Sequence, residues 1–289
     1  MSQVELTARA FLTVRRQRGA MRRLVLSEIG MVFRRRRNLA LLALLAAAPL
    51  AIGLAVRLNH HDRRGGGPDF MNQVTENGVF LVFTALTITL PLLLPLLVGV
   101  VAGDSIAGEA GSGTLRYLLT VPVSRTRLLI AKAVGVLAYT AVAVSIVAVV
   151  GLVAGGAFFG LHPVTLLSGD TIPLHEGLLR VVEVTGYVIL TLTGFLAVGL
   201  FISTLTEVPI AAMAATVGAA VVSAVLDQIP QLGSLRDFLF THYWTGFGEI
   251  LRAQVDWHTL GSWLWLQVGY VALFGTAAWA RLGGADITS

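Results

Sequence analysis

The 289 residues hold 13% charged against 55% hydrophobic side chains. A soluble domain averages ~25% charged residues, so lipid is expected to replace water over much of this surface. The net charge is +5, but the arginines crowd one end, a pattern of membrane topology rather than of nucleic-acid binding, and the lack of any cysteine excludes disulfides and thiolate metal sites.

Residues 1–37 carry ten arginines and two acids, Glu5 and Glu28. That is too long and too charged for the head of a cleavable signal. Residues 1–20 read as a basic tail. Over 21–37, Leu24, Val25, Ile29, Val32 and Phe33 recur near helical spacing among Arg22, Arg23 and Arg34 to Arg37. This predicts an amphipathic helix lying at the headgroup level.

Six apolar runs follow: Leu39–Val56, Val79–Ala102, Leu128–Phe159, Val181–Ser203, Val208–Leu226 and Gly261–Ala280. The first is about long enough for a ~30 Å hydrocarbon core. Pro91 and Pro95 interrupt the second. The third is longer than a span needs, so it tilts or projects inward. The predicted fold is an all-α integral membrane protein: a basic tail and interfacial helix over 1–38, then a six-span domain over 39–289.

With the N-terminus inside, fifteen Lys and Arg fall in the inner segments 1–38, 103–132, 204–207 and 281–289, and six fall outside. That bias places both termini in the cytoplasm. The outer segment 59–78 contains Gly65-Gly66-Gly67-Pro68 and reads as a flexible turn. The segment 160–180, with Pro163, Gly169 and Pro173, is expected to be irregular. Residues 227–260 are rich in aromatics, including Phe238, Phe240, Tyr243, Trp244 and Phe247. Such residues anchor at a membrane interface, so short re-entrant helices dipping into the outer leaflet are expected there.

Few residues suggest chemistry. There is no G-x-x-x-x-G-K-[ST] loop, and the one lysine, Lys132, follows no glycine loop, so no ATPase site is expected in this chain. No H-E-x-x-H or G-x-S-x-G occurs. His60-His61-Asp62 has metal-ligand chemistry, but adjacent residues rarely face one ion. Glu183 and Glu207 sit at the ends of apolar runs, and no buried acid–base pair is evident, which argues against a proton or sodium relay. The fifth run is rich in small residues, among them Ala211, Ala215, Gly218 and Ala219. These suit either an oligomer interface or ordinary packing inside the bundle.

The most informative stretch is the polar one from Gly103 to Lys132. Asp104 or Ser105 is placed to cap a short helix through Ala110, with Gly111-Ser112-Gly113 breaking it. Thr114 caps a second turn whose apolar face is Leu115, Leu118 and Leu119, and Pro122 ends it. Ser124 then caps the third span, with Arg125, Arg127 and Lys132 near the membrane surface. The result is a short stiff element at the cytoplasmic face, suited to receiving force from a partner protein. Glu109 and Arg116 are expected to make charge-assisted contacts with that partner.

Asp104, Glu109, Gly113-Thr114-Leu115, Leu118-Leu119, Pro122, Ser124-Arg125 and Lys132 resemble the signature of ABC-2-type permeases. The match is specific over about thirty residues and architectural elsewhere. The resemblance implies a multi-pass protein of a bacterial cytoplasmic membrane. It implies two permeases, a homodimer in the simplest case, paired with two copies of a separate ATP-binding cassette subunit. ATP and Mg would then be held on that partner and no cofactor in this chain. The short helices around Glu109 to Leu119 would dock in the ATPase. The implied activity is export of a hydrophobic or amphiphilic cargo such as a drug, lipid or peptide. Permease work in metal or cofactor maturation at the outer face is the alternative within the same fold, and a membrane scaffold without transport the alternative outside it.

Overall fold

The computed structural model describes residues 21–59, 77–112, 124–166 and 168–284. Helix α1 covers residues 21–34, and the chain turns at Arg35 into α2, Arg36–Asn59. Then come α3, Phe80–Thr89, and α4, Leu93–Gly111. Next are α5, Arg125–Phe159, α6, Leu174–Ser203, α7, Pro209–Asp227, and α8, Trp257–Gly284. Strands β1, Val164–Thr165, and β2, Thr171–Ile172, form a two-residue antiparallel ladder between α5 and α6. Two 3-10 segments, Pro230–Phe238 and Trp244–Leu251, separate α7 from α8.

Among the described residues, five helices are long and apolar enough to cross a membrane: α2, α4, α5, α6 and α7. The second apolar run is two helices rather than one. Pro91 has no N–H to continue the ladder of α3, so α3 stops at Thr89 and α4 restarts at Leu93. Pro95 is tolerated because it lies in the first turn of α4, where N–H groups lack helical partners anyway. The run predicted to end at Ala102 continues unbroken to Gly111, so Asp104 and Ser105 sit inside a helix and cap nothing. Similarly, α6 begins at Leu174, within the segment expected to be irregular. Helix α8 has 28 residues, long enough to span, but Gln267 and its tryptophans lower its hydropathy and it is not among the five.

The core lies where α3 to α6 meet. Leu81, Leu86, Leu90, Leu94, Leu97, Tyr139, Leu192 and Phe195 there have no solvent exposure. Helix α3 is buried on nearly every side, with Thr87 and Ile88 the exceptions. The peripheral helices instead turn apolar faces outward: Leu44, Leu50 and Leu54 on α2, Val221, Val222 and Val225 on α7, Trp265 and Leu273 on α8. In water such faces would drive aggregation; in a bilayer they are the solvent-matched surface.

The aromatic segment expected outside is folded onto the bundle. Trp244, Phe247, Ile250 and Leu251 are buried. Side chains from two long helices hold its backbone: Tyr187 Oη donates to the Tyr243 carbonyl at 2.8 Å, and Gln267 Nε2 to that of Phe240 at 3.1 Å.

At the other end α4 runs close against α7 and α6. A Cβ at Gly103 would lie 2.8 Å from the backbone of Met213, so only glycine permits this approach. Ser203 at the end of α6 reaches into the helical ladder of α4. Its Oγ donates to the Gly103 carbonyl at 2.6 Å and accepts from the amides of Ile106 at 3.0 Å and Ala107 at 2.9 Å. Gly103→Ala is therefore expected to lower stability by about 1–3 kcal/mol, the usual cost of overpacking. Ser203→Ala is expected to cost a comparable ~1–3 kcal/mol through unsatisfied backbone groups. Thermal unfolding in detergent measures both.

Candidate functional site

The basic end of the bundle is assembled by the elbow between α1 and α2. Arg35 leaves helical geometry, and its carbonyl accepts from the amides of Asn38 and Leu39, which starts α2. Asn38 Nδ2 turns back to the Val32 carbonyl at 2.9 Å, satisfying the open end of α1. Tyr139 of α5, fully buried, donates to the Asn38 carbonyl at 3.0 Å and packs its ring 5.7 Å from that of Phe33. Gly135, one turn earlier on α5, lets α1 lie directly over it: a Cβ there would sit 3.6 Å from Glu28 Cβ.

This placement brings together charges far apart in sequence. Lys132 Nζ lies 2.6 Å from Glu109 Oε1 and 3.4 Å from Glu28 Oε2, and all three residues are buried. Asp104, also buried, pairs through one oxygen with Arg35 and with Arg37, the latter at 2.7 Å. A space of about 30 Å³ lies between the two groups, bordered by Glu28, Arg35, Asp104, Glu109 and Lys132. Charges taken out of water are tolerable only when paired. The cluster therefore fixes α1, α4 and α5 to one another more specifically than apolar packing would. Lys132 faces two carboxylates, and Glu28 is the less well served: burial pushes its carboxyl above the ordinary range, against the pull of Lys132. Its Oε1 has no hydrogen-bond partner among the described residues.

Two expectations need correction. Lys132, expected near the membrane surface with Arg125 and Arg127, is buried in an ion pair. A buried acid–base cluster does exist; the sequence hid it because its members lie on three separate helices. Glu109, expected to face a partner, points inward to Lys132, because α4 continues as helix and turns that side toward α5. Of the residues expected in the coupling element, Gly113, Thr114, Leu115, Arg116, Leu118, Leu119 and Pro122 lie outside the described residues, as do His60 and His61.

The element's exit is described. Ser124 caps α5, its side chain accepting from the Arg127 amide. Arg125 crosses to the end of α8 and donates to the carbonyls of Leu282 at 2.5 Å and Gly283 at 2.6 Å. That is a favourable place for a cation, since the last carbonyls of a helix carry partial negative charge. On α7, Ala211 and Ala215 are exposed and Gly218 and Ala219 half-buried, whereas Ala212, Thr216, Ala220 and Ser223 face the bundle. Among the described residues no three His, Asp or Glu side chains converge on a metal-sized site. Glu183 pairs with Arg180 at 3.2 Å.

Glu28, Arg35 and Arg37 were missed by reasoning from sequence. Two signals pointed to Glu28; Arg35 and Arg37 stand in a run of four arginines and nothing in the sequence singles them out. Glu28 is the one acid between Glu5 and Asp62 in a strongly basic stretch, and Lys132 is the one lysine of the chain. An isolated opposite charge in each of two elements suggests a pair.

Comparison with protein families finds a match over residues 34–223 to the family described as ABC-2 family transporter protein. No curated protein matches the chain. The matched region takes in Asp104, Glu109 and Lys132 and stops short of the 3-10 segments and α8.

Breaking a buried pair from one side costs ~3–5 kcal/mol. Lys132→Met, which strands two carboxylates, is expected to lower stability by that order. Glu28→Gln keeps the shape and removes the surplus carboxylate, and is expected to stay within about 1 kcal/mol of the parent protein. Thermal melting of both variants in one detergent makes the comparison.

Proposed function

The chain belongs to the ABC-2 family of transporter proteins, and from that premise we propose that it is the permease subunit of an ATP-driven exporter carrying a hydrophobic or amphiphilic cargo. The observation that carries this reading is the family match, which encloses the polar stretch from Gly103 to Lys132. The proposed spans are α2, the broken pair α3 and α4, then α5, α6, α7 and α8. The 3-10 segments form the re-entrant part at the outer face. Both termini lie in the cytoplasm of a bacterium, a placement supported by the distribution of arginine.

In this reading ATP and Mg are held by a separate ATP-binding cassette subunit, present in two copies. Residues Gly113 to Pro122 dock into it, Leu115, Leu118 and Leu119 supplying the apolar contact and Arg116 the charged one. Glu109 and Asp104 act as positioning residues: Glu109 ties the start of the docking element to α5, and Asp104 ties it to the α1–α2 elbow. Movement imposed on the docking element then passes to α4 directly, to α5 through Lys132, and to α8 through Arg125. Two permeases pair through the small-residue face of α7, with Ala211, Ala215, Gly218 and Ala219 toward the second copy. The open space around Gly218 is consistent with close approach of another helix there.

Coexpression with the ATP-binding subunit tests the reading. Leu118→Asp is expected to reduce copurification of that subunit at least tenfold while leaving the melting temperature of the permease alone unchanged. Undiminished copurification would place the docking surface elsewhere.

A further inference from the structure

At Lys132 the charge cluster has one carboxylate too many. Lys132 Nζ is 2.6 Å from Glu109 Oε1 but 3.4 Å from Glu28 Oε2. Arg35 and Arg37 are turned to Asp104. Glu28 is left with the longer and weaker contact. Its side chain is 5% exposed, and Oε1 is buried with no hydrogen-bond partner among the described residues. An ionised carboxylate so placed loses its water without a full replacement. A neutral carboxylic acid fits better: Oε2 stays an acceptor for Lys132, and Oε1 becomes an O–H donor.

That donor has somewhere to point. Glu28 lines the space of about 30 Å³ together with Met31, Arg35, Asp104 and Ser105. One water needs roughly 10–15 Å³ of such volume and 2–4 polar partners. The space therefore has room for about two waters, with the Ser105 hydroxyl and the Asp104 carboxylate on its border as further partners. Met31 and Arg35, on the same border, are exposed and give water and protons a way in. A metal ion suits the space less well, because Arg35, Arg37 and Lys132 already bring positive charge to Asp104, Glu109 and Glu28.

The charged groups facing Glu28 come from three elements. Burial and the charge of Glu109 on α4 push its carboxyl up; Lys132 on α5 and Arg35 at the elbow pull it down; burial prevails. We propose that this space is a hydrated proton site, in which Glu28 binds a proton on Oε1 and hydrogen-bonds through it to water held between α1 and α4. The proton comes from bulk solvent and returns to it as pH rises, leaving the carboxylate, and no other bond changes. The folded protein binds this proton more readily than the unfolded chain does. Stability linked to Glu28 is thus fully present below the ordinary value of 4.5 and is lost as pH rises through the higher value of the folded state. The site requires neither the ATP-binding partner nor a particular orientation in the membrane.

Infrared difference spectroscopy of the full chain in detergent, parent against Glu28→Gln, tests it. From about pH 5.5 upward exposed carboxyl groups are ionised. The C=O band of one protonated carboxylic acid is expected to persist there in the parent, to titrate away at higher pH, and to be missing from Glu28→Gln. Gln copies the shape of the neutral acid, so over the same range the melting temperature of the parent is expected to fall relative to that of the variant. Glu109→Gln removes the competing charge and leaves Glu28 as the carboxylate facing Lys132, so the midpoint of the band is expected to move to lower pH. A purely structural Glu28 would show no such response. A parent without the band, a band indifferent to Glu28→Gln, or a midpoint unmoved by Glu109→Gln would overturn the proposal. So would a high-resolution density map with no water in hydrogen-bond reach of Oε1. Stabilisation of the parent by sodium or potassium ions that Glu28→Gln abolishes would also overturn it, since the space would then hold a cation.

Discussion

One buried ammonium group organises the basic end of this bundle. Lys132 sits on α5 between Glu109 of α4 and Glu28 of α1, with almost no contact with solvent. A lysine in that position is stable only while a carboxylate faces it. The register of α1 on α5 and the rotation of α4 about its axis are thus both constrained by one charge. The Asp104 pairs with Arg35 and Arg37 repeat the constraint at the elbow that leads into α2. Apolar contacts alone would let these helices slide by a turn; paired charges penalise any such slip.

The same arrangement explains why the polar stretch and the N-terminal helix belong to one site. Helix α4 carries its hydrogen-bonded backbone past the level where its apolar run stops, and Ser203 and Gly103 secure that extension against α6 and α7. Arg125 and Thr126, at the start of α5, tie the far end of the polar stretch to the last turns of α8. The segment between them, proposed to dock on the ATP-binding subunit, is thus anchored on both sides to elements that lead in different directions through the bundle.

Much of this was legible in the sequence, and the rest was not for identifiable reasons. The long apolar runs announced helices because a bilayer demands apolar surface over a fixed length, and Ser124 announced a cap because its side chain serves the open amides of α5. Pro91 was visible as a break, but not that α4 would run on to Gly111: hydropathy falls at Asp104, while the helix is sustained by Ser203 and by charges supplied from the elbow between α1 and α2. The pairing of Glu28 with Lys132 spans 104 residues, and nothing local encodes it. The aromatic stretch after α7 was legible as short helical turns rather than a bare loop. Its seating on Tyr187 and Gln267 was not, since each is a single polar residue inside an apolar run.

The claim on which the account rests is that α1, α4 and α5 move as one body when the ATP-binding partner closes. The absence of cysteine from the chain makes a direct test clean. With Glu28→Cys and Gly135→Cys, the two Cβ atoms would lie about as far apart as the 3.6 Å between Glu28 Cβ and a Cβ built at Gly135, within the usual range for a disulfide. The measurement is cargo transport and coupled ATP hydrolysis by the complete permease–ATPase complex, oxidised and then reduced. A rigid unit predicts equal activity in both states. Activity lost on oxidation and restored on reduction would show that α1 must part from α5 during the cycle, and would contradict the account.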